Sequence, residues 1–349
     1  MVMRFIRLLV RLSVWLTALF ACLILLDSNN QFILFLSNVR WLILLPGLIL
    51  VSFLWSTRPV SRWTILFALI LSGFPWPLVF PPDYCIAKDK SPESTLKIMT
   101  MNLAGSADVP GRDLRALAEK EKVEILALQE VTPGFWRTEG KRLRKTLPFY
   151  VYQESEDGYW TQALLSRRPV VSYQIRDPGP GFSPFDARIA LDVTVQNNRG
   201  PYSVLVMHLT VPFYRGDCRG VACLLWRYDQ TDRDLQLQEV QHWLDQKEGP
   251  AFVLGDLNLS DQNPIYPKFS MGMVDAGRCS INWPKTWPAD GMFPFSIARI
   301  DYALAKESDS ERIMARSRTI QIPGTDHRAL IAEFVITAAS RPGHNTPAR

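Results

Sequence analysis

The sequence predicts an α/β protein in which two β-sheets pack face to face with helices outside them, preceded by an apolar region of about three transmembrane helices. Two observations support this prediction. Residues 1–82 hold three long apolar runs with six arginines and a single acid, Asp27. After them, many short strand patterns alternate with only a few amphipathic helix patterns. Many strands with few helices favour two packed sheets that carry helices on their outer faces.

The three apolar runs cover residues 12–26, 41–55 and 63–80. A bilayer core about 30 Å thick needs roughly 20 helical residues, so each run must include its flanks to span it. A cleaved signal peptide is a poor alternative for the first run, because no small-residue cleavage site follows it. Soluble core helices are a poor alternative for the others, because such a density of large apolar residues without acids is unusual in water. We therefore predict a multi-pass membrane anchor over residues 1–82.

Arginines flank the apolar runs unevenly. Three arginines precede the first run, and Arg58 and Arg62 separate the second run from the third, whereas the loop at 27–31 has no basic residue. The positive-inside rule then places the N-terminus in the cytoplasm. Three crossings of the cell membrane would put the chain after residue 82 on the extracytoplasmic (periplasmic) side. An incomplete third crossing would put it on the opposite side.

The cysteines give separate information about the compartment. Cys85, Cys218, Cys223 and Cys279 follow the anchor, and an even number of cysteines outside the cytoplasm suggests disulfides. Cys218 and Cys223 enclose only four residues and make a plausible local bridge, which leaves Cys85 to pair with Cys279. The spacing alone does not fix this pairing, and four free buried thiols in a cytoplasmic domain remain the alternative. A zinc site is disfavoured, because the spacings match no finger pattern.

The net charge of +5 belongs to the anchor, since its six arginines and one aspartate account for all of it. The remainder of the chain is therefore electrically balanced. Phosphate contacts along duplex DNA need a basic stripe, so this balance argues weakly against a duplex-binding surface.

A polar linker is predicted over residues 83–95, a globular domain over 96–337 and a loose tail over 338–349. The segments 159–166 and 169–175 are interpreted as adjacent strands, and 187–196 with 202–209 as a hairpin. The remaining predicted elements are strands at 96–103, 124–129, 251–256, 299–305 and 328–336, and helices at 113–122 and 234–246.

Polar residues stand where several of these predicted strands end or begin. They are Asn102, Glu130, His208, Asp256, Asn258, Asp301, Asp326 and His327. One such residue is usually a helix cap or a turn former. A set drawn from five or six strands is harder to explain in this way, because strand ends gather at one edge of a sandwich. We therefore expect these groups to converge on one site.

The types of side chain in this set suit phosphate chemistry. Asp256 and Asn258 lie two residues apart and point to the same side of an extended segment. The carboxylate can orient or deprotonate a water, while the amide donates to a phosphoryl oxygen. Glu130 and Asp326 are hard oxygen donors of the kind that Mg²⁺ prefers. His327 is expected to pair with a carboxylate that fixes its tautomer.

The segments MNLAG, LALQEV, GDLN, RIDY and TDHRAL, in this order, resemble the endonuclease/exonuclease/phosphatase superfamily over residues 96–336. Its members include nucleases, neutral sphingomyelinases and inositol-polyphosphate 5-phosphatases. The resemblance implies a four-layer α/β sandwich, with two packed mixed β-sheets flanked by helices. It also implies phosphoester hydrolysis that depends on Mg²⁺ or Mn²⁺, with Glu130, Asn102 and Asp326 at the metal.

The same resemblance implies roles for the other five residues. Asp256 would be a base or water-orienting group, and Asn258 would hold the phosphate. Asp301 would orient His327, and His208 would meet the phosphate or the leaving group. The choice of general base between Asp256 and His327 stays open.

Three apolar runs before such a domain, with TWP at 286–288, resemble the VanJ-like membrane phosphatases, which are linked to undecaprenyl-diphosphate metabolism. The sequence thus predicts a membrane-anchored, Mg²⁺-dependent phosphoesterase at the extracytoplasmic face. Its partners would be the lipid bilayer and a phosphorylated substrate, with a lipid-linked polyprenyl diphosphate or phospholipid favoured and no obligate protein partner. The alternatives are a surface nuclease that acts on DNA and a catalytically inactive binding module.

Overall fold

The fold is taken from a computed structural model. It describes residues 2–25, 30–55, 60–74, 80–86, 95–106, 108–154, 161–176, 190–198, 200–212, 228–282, 284–289, 291, 294–308 and 311–338. The strands are β1 (Leu96–Asn102), β2 (Ile125–Val131), β3 (Phe149–Tyr152), β4 (Thr161–Ser166), β5 (Val170–Arg176), β6 (Ala190–Val195), β7 (Tyr202–His208), β8 (Ala251–Asp256), β9 (Met273–Asp275), β10 (Asp301–Lys306), β11 (Glu311–Gln321) and β12 (Arg328–Ala338).

The strands form two mixed six-stranded sheets. The first has the order β11-β12-β1-β2-β4-β3, and the second has the order β5-β6-β7-β8-β10-β9. Alternate side chains of β1 face opposite ways, so that Ile98 joins the core between the sheets while Met99 faces the outer layer. Outside the first sheet lie α5 (Gly111–Lys120), α6 (Pro133–Phe135), a π-helical turn (Trp136–Gly140) and α7 (Lys141–Leu143). Outside the second lie α8 (Thr231–Asp245) and α9 (Tyr266–Phe269). The predicted sandwich is confirmed.

The topology gathers one set of strand ends at a single edge. In the first sheet β1 and β2 run parallel, and β12 is antiparallel to β1, so β12 begins where β1 and β2 end. In the second sheet β7 and β8 run parallel, and β10 is antiparallel to β8. The ends of β1, β2, β7 and β8 and the starts of β10 and β12 therefore share one edge, as the sequence predicted.

The predicted pairing of the segments 159–166 and 169–175 is wrong. β4 lies between β2 and β3 in the first sheet, whereas β5 pairs with β6 in the second. All six residues of β4 are buried, as expected for a strand with neighbours on both sides, whereas β5 exposes most of its side chains at a sheet edge. The chain therefore crosses between sheets at Pro169. The predicted hairpin of β6 and β7 is confirmed.

Three strands were not predicted, namely β3, β9 and β11. β3 and β9 have only four and three residues. β11 alternates buried and partly exposed side chains along its length, but its three arginines hide the apolar pattern. The predicted helix at 113–122 begins two residues earlier, at Gly111, and the one at 234–246 begins at Thr231.

The anchor contains α1 (Val2–Leu25), α2 (Gln31–Ser37), α3 (Arg40–Trp55) and α4 (Val60–Gly73). Of the described helices, one is long and apolar enough to cross a membrane by itself, at Arg4–Leu25. α2 and α3 pass the same test only as a pair, and they are bent by 76° at the break between them. α4 has 14 residues, or about 21 Å of helix. The predicted count of about three transmembrane helices is therefore corrected to one of full length, and the end of the third apolar run lies outside the described residues.

The anchor helices pack closely through small residues. A Cβ atom on Gly47 would lie 2.4 Å from Thr17 Cγ2, and one on Gly73 would lie 2.7 Å from Ala21 Cβ. The outer face of α1 instead exposes large apolar side chains, among them Phe5, Leu8, Leu12, Trp15, Leu16 and Leu19. Small residues at helix contacts and a large apolar outer face are typical of helices that pack in lipid.

The break between α2 and α3 docks on the globular domain. We call residues 35–41, which contain this break, the elbow. The backbone N–H of Trp41 donates to Gln262 Oε1 at 2.9 Å, and its indole N–H donates to Ile297 O at 3.1 Å. The carbonyl of Asn38 accepts from Ser260 Oγ at 2.7 Å. The elbow thus contacts the loop that directly follows β8.

A disulfide joins Cys85 to Cys279, 194 residues apart in sequence. The N–H of Ile86 donates to Ala315 O on β11, so the start of the predicted linker adds to the edge of the first sheet. The pairing proposed from the sequence is confirmed for these two cysteines. The other proposed pair, Cys218 with Cys223, lies outside the described residues.

Removal of this disulfide is expected to destabilise the domain. A Cys85→Ser, Cys279→Ser double variant should lose about 2–5 kcal/mol of unfolding free energy, because a long loop is released in the unfolded chain. Urea denaturation under non-reducing conditions measures this loss. Cys22→Ser is the matched control, since Cys22 is a free thiol. An equal effect of both variants would contradict the prediction.

Candidate active site

The shared edge carries a buried carboxylate between two strand ends. The fixed register pairs His208 with Asp256 and Asp256 with Asp301 across the second sheet. Gly255 precedes this carboxylate with a φ of +136°, and a Cβ there would lie 1.9 Å from Met207 O. Only glycine therefore fits this position in the GDLN motif.

Asn102 joins the two sheets at this edge. Its side-chain Nδ2 donates to Glu130 Oε1 at 3.1 Å and to Asp256 Oδ2 at 3.0 Å. Its Oδ1 accepts from the N–H of Ala104 at 2.8 Å. Asn102 therefore turns its amide nitrogen, and not its oxygen, towards the two carboxylates and holds them together.

Glu130 reaches the site through an irregular strand. The pairing of β2 with β4 shifts register between Leu128 and Val131, and Glu130 has a φ of +53°. Residues other than glycine seldom adopt this left-handed conformation, and such strain concentrates at functional sites. The bulge turns the Glu130 carboxylate towards His208, whose Nε2 lies 3.5 Å from Glu130 Oε1.

His327 lies at the centre of the acidic groups. Its Nδ1–H donates to Asp301 Oδ2 at 2.9 Å, and its Nε2 lies 3.7 Å from Asp256 Oδ2 and 3.8 Å from Asp326 Oδ1. His208 Nε2 lies 3.7 Å from the same oxygen of Asp256. Two imidazoles thus flank one buried carboxylate.

Burial and neighbouring charges shift two pKa values in this site. Burial raises the pKa of Asp256 to about 7, and the negative charge of Asp301 acts in the same direction. Burial alone would lower the pKa of His327, but the charge of Asp301 and the hydrogen bond to it raise that pKa to about 10. At neutral pH, His327 is therefore a cation held by Asp301, while Asp256 can both release and accept a proton.

The two carboxylate oxygens of Asp326 differ, because only one of them accepts a hydrogen bond from a described residue. The indole N–H of Trp287 donates to Asp326 Oδ2 at 3.0 Å. Asp326 Oδ1 is buried and has no hydrogen-bond partner among the described residues. A buried anionic oxygen without a hydrogen-bond donor needs positive charge close by, and the imidazolium of His327 at 3.8 Å supplies part of it. A carboxylate oxygen without a donor is also the kind of ligand that a divalent cation prefers.

Three other residues of the site form a group of metal-site composition. Asp256, Asp301 and His327 offer three ligand atoms within 4.8 Å of one another. The hydrogen bond between His327 Nδ1 and Asp301 Oδ2 already occupies two polar atoms of this group.

Asn258 lies at the mouth of the site in a strained conformation, with a φ of +46°. Its N–H donates to Asp256 Oδ1 at 2.8 Å, and its side-chain Nδ2 donates to Leu209 O at 2.8 Å. The carbonyl of Asn258 accepts from Arg233 Nη1 at 3.1 Å. Three contacts thus hold the residue, and no contact among the described residues uses the second hydrogen of its Nδ2.

The structure brings all eight sequence-predicted residues together. We call Asn102, Glu130, His208, Asp256, Asn258, Asp301, Asp326 and His327 the edge cluster. Two residues that contact this cluster were not predicted from the sequence. Trp287 donates a hydrogen bond to Asp326, and Arg233 donates one to the carbonyl of Asn258. The TWP segment was noted only as a point of resemblance. Arg233 stands on a helix with no distinguishing pattern, so only the fold reveals its contact.

The model of the endonuclease/exonuclease/phosphatase family matches residues 99–327, which is more than half of the chain. This protein belongs to that family. Membership agrees with the two packed sheets and with the edge cluster, and it identifies the protein's class as hydrolases of phosphoester bonds. No curated protein sequence matches the chain significantly.

Several solved structures of the endonuclease/exonuclease/phosphatase family have the same fold. D. rerio TDP2 in complex with a single-strand DNA product superposes with a TM-score of 0.53 at 18% identity, covering 70% of this chain and 100% of TDP2. Sphingomyelinase C from Streptomyces griseocarneus superposes with a TM-score of 0.53 at 14% identity, covering 69% of this chain and 99% of that chain. An endonuclease/exonuclease/phosphatase from Bacteroides vulgatus superposes with a TM-score of 0.54 at 14% identity, covering 70% of this chain and 100% of that chain. At these identities, the likeness establishes the fold alone.

Proposed function

We propose that this protein is a membrane-anchored, divalent-metal-dependent phosphoesterase that hydrolyses a phosphate ester or diphosphate of a lipid-linked substrate at the extracytoplasmic face. The composition of the edge cluster is the observation that supports this type of reaction. It combines buried carboxylates, an amide and two imidazoles within hydrogen-bond or ion-pair distance of one another. Family membership supports hydrolysis of a phosphoester bond.

The residues that would hold Mg²⁺, or Mn²⁺, are Glu130 and Asp326. Asp326 Oδ1 is buried without a hydrogen-bond donor in the described part of the chain, which supports this choice. When bound, the ion would neutralise charge on the phosphoryl oxygens. Asn102 would act beside it by holding Glu130 and Asp256 in place through its Nδ2.

Asp256 is the proposed general base. A base works best when its pKa lies near the operating pH, and burial raises the pKa of Asp256 to about 7. His327 is the weaker choice, because its raised pKa keeps it protonated at neutral pH. We propose that Asp256 takes a proton from the attacking water, while Asp301 holds His327 as a cation.

Three side chains would bind the phosphoryl group. Protonated His327 would offer its Nε2–H to a phosphoryl oxygen as negative charge develops there. Asn258 would offer the free hydrogen of its amide. His208 Nε2 lies close to both Glu130 and Asp256 and is positioned to meet the phosphate or the leaving group.

The position of the elbow supports a lipid-linked substrate. Through Trp41 and Asn38 it contacts the loop that begins one residue after Asp256. A cleft of about 360 Å³ lies beside this contact and is lined by Pro288, Pro294, Phe295 and Arg328 among others. Phe295 also packs against Trp41, with ring centroids 6.2 Å apart. The lining combines apolar side chains with Gln321 and Arg328, and a cleft of this mixed character suits a substrate that carries both a phosphate and a hydrocarbon chain.

The proposed membrane attachment and the proposed side of the membrane are supported by different observations. The length and apolar outer face of α1 support insertion into a membrane. The disulfide between Cys85 and Cys279 supports an oxidising, extracytoplasmic compartment. Alkaline phosphatase fused after Asp83 tests the second point, because it is active only outside the cytoplasm. An inactive fusion in intact cells would refute the proposed side.

The substrate proposal is tested with the full-length protein in nanodiscs. We expect Mg²⁺-dependent phosphate release from a polyprenyl diphosphate or head-group release from a phospholipid, and little cleavage of single-stranded or duplex DNA. Salt-sensitive DNA cleavage without lipid hydrolysis would select a nuclease instead. An absence of any hydrolysis would select a binding module.

A further inference from the structure

We propose that the elbow of the membrane anchor is a positioning element of the active site, acting through Tyr228 and Arg233 on Asn258. The anchor would then do more than attach the domain to a membrane. This inference rests on the proposed role of Asn258 in phosphate binding.

The first step from the elbow towards Asn258 is its contact with Tyr228. Asn38 Nδ2 donates to the Tyr228 hydroxyl at 3.0 Å, and the rings of Phe35 and Tyr228 meet edge to face at 5.8 Å. Tyr228 is 1% exposed. The elbow therefore fixes both the ring and the hydroxyl of this tyrosine.

The second step is the contact between Tyr228 and Arg233. Arg233 Nη1 donates to the Tyr228 hydroxyl at 3.2 Å and to the carbonyl of Asn258 at 3.1 Å. The guanidinium is 1% exposed, and its other nitrogens bind Asp234 and Gln230. One nitrogen thus connects the tyrosine that touches the anchor to the backbone of a proposed phosphate-binding residue.

The third step is the loop that carries Asn258. Asn38 binds three residues of this loop, because its carbonyl accepts from Ser260 Oγ and from Gln262 Nε2 at 3.3 Å, and its Oδ1 accepts from Asn263 Nδ2 at 3.1 Å. Ser260, Gln262 and Asn263 are each 2% exposed or less. Without the elbow, these buried polar groups would lose partners, so the loop conformation depends on the anchor.

The fourth step is the backbone of Asn258 itself. A left-handed conformation at a residue other than glycine persists only where its surroundings impose it. The contacts from Asp256 and Leu209 come from within the site, whereas the contact from Arg233 connects it to the elbow. Loss of the Tyr228 hydroxyl should therefore allow the Asn258 amide to shift from the phosphate, and small displacements of such groups reduce rates strongly.

The test compares Tyr228→Phe and Asn38→Ala in the full-length protein, with bis(p-nitrophenyl) phosphate and Mg²⁺ as the assay. Each variant is expected to lower kcat on the order of tenfold with little change in KM, because the misplaced amide acts mainly in the transition state. The double variant should lose less than the product of the two single losses, since Asn38 acts partly through the Tyr228 hydroxyl and partly through Asn263. Wild-type kcat in both single variants would overturn the proposal.

Tyr266→Phe is the matched control. The Tyr266 hydroxyl is also buried and donates to Asp275 Oδ2, but the described contacts of that hydroxyl include neither the elbow nor Asn258. This variant should lower the melting temperature and leave kcat unchanged. A fall in kcat equal to that of Tyr228→Phe would mean that the network is merely structural.

Hydrogen exchange tests the same proposal without catalysis. The amides of residues 257–263 should exchange faster in Tyr228→Phe and Asn38→Ala, and at the wild-type rate in Tyr266→Phe. Unchanged exchange in all three variants would refute the coupling even if the wild-type protein hydrolysed none of the substrates offered. Inactivity of the wild type with the expected exchange pattern would instead refute the proposed function alone.

Discussion

The Asp256→Asn variant is expected to lose on the order of 10³-fold in kcat, because an amide cannot take a proton from the attacking water. The new side chain has nearly the same shape, and the contact with Asn258 N–H can persist through its oxygen. Phosphate release at pH 7 under saturating Mg²⁺ measures the loss. A variant that keeps more than a tenth of wild-type kcat would contradict the role of Asp256 as the base.

Stability should distinguish loss of chemistry from loss of fold in this variant. The pKa of Asp256 is raised from 3.8 to about 7, so its ionised form lowers stability progressively as the pH rises between these values. Asparagine carries no such charge. Its amide nitrogen would face Asn102 Nδ2, so one hydrogen bond is lost at every pH. The melting temperature of the metal-free variant relative to wild type should therefore be higher at pH 8 than at pH 4.

Asp192→Asn is the matched control for this experiment. Asp192 is a buried aspartate that accepts from Trp243 Nε1 at 2.8 Å and pairs with Arg176. It lies on β6 and has no described contact with the edge cluster. Its substitution should lower stability and leave kcat near the wild-type value.

The Glu130→Gln variant is expected to lose on the order of 10²-fold in kcat at 1 mM Mg²⁺, because a charged oxygen donor to the proposed metal is removed while the side chain keeps its length. Part of the loss should return at higher Mg²⁺ concentration. A chelator should abolish wild-type activity, and added Mg²⁺ or Mn²⁺ should restore it.

Glu333→Gln is the control for the Glu130 variant. Glu333 lies on β12 of the same sheet, where it pairs with Lys97 and Arg316, and it has no described contact with the edge cluster. Calorimetric titration with Mn²⁺ should give weaker binding for Glu130→Gln and unchanged binding for Glu333→Gln. Wild-type activity that survives chelation would end the metal-dependent mechanism.

The sequence predicted the edge cluster because each member follows or precedes an apolar strand. Asp256 directly follows the apolar run that contains VLG, and His327 directly precedes the strand that begins with RAL. Their prediction required only the strand pattern and the rule that strand ends gather at an edge. The amide orientation of Asn102 and the bulge at Glu130 could not be predicted in this way. Both depend on hydrogen bonds and pairing shifts that appear only when the strands have met.

The apolar N-terminal region was the least predictable part of the fold. Apolar density identifies residues that avoid water, but it does not reveal where a helix breaks. Asn38 is an ordinary polar residue in the sequence, and its partners Ser260 and Asn263 are more than 200 positions away. The 76° break and the docking of the elbow follow from these distant contacts, and the transmembrane count was corrected for that reason.

The domain is attached to its anchor at two separate places. The elbow contacts the loop after β8, and the segment at Cys85 is bonded covalently to Cys279 and paired with β11. Two points of attachment remove the free swivelling that a single tether would allow. The catalytic edge would then keep a constant height and tilt above the lipid head groups. For the proposed lipid-linked substrate, encounter would then be a two-dimensional search, in which lateral diffusion of both molecules in the leaflet would set the frequency of collisions.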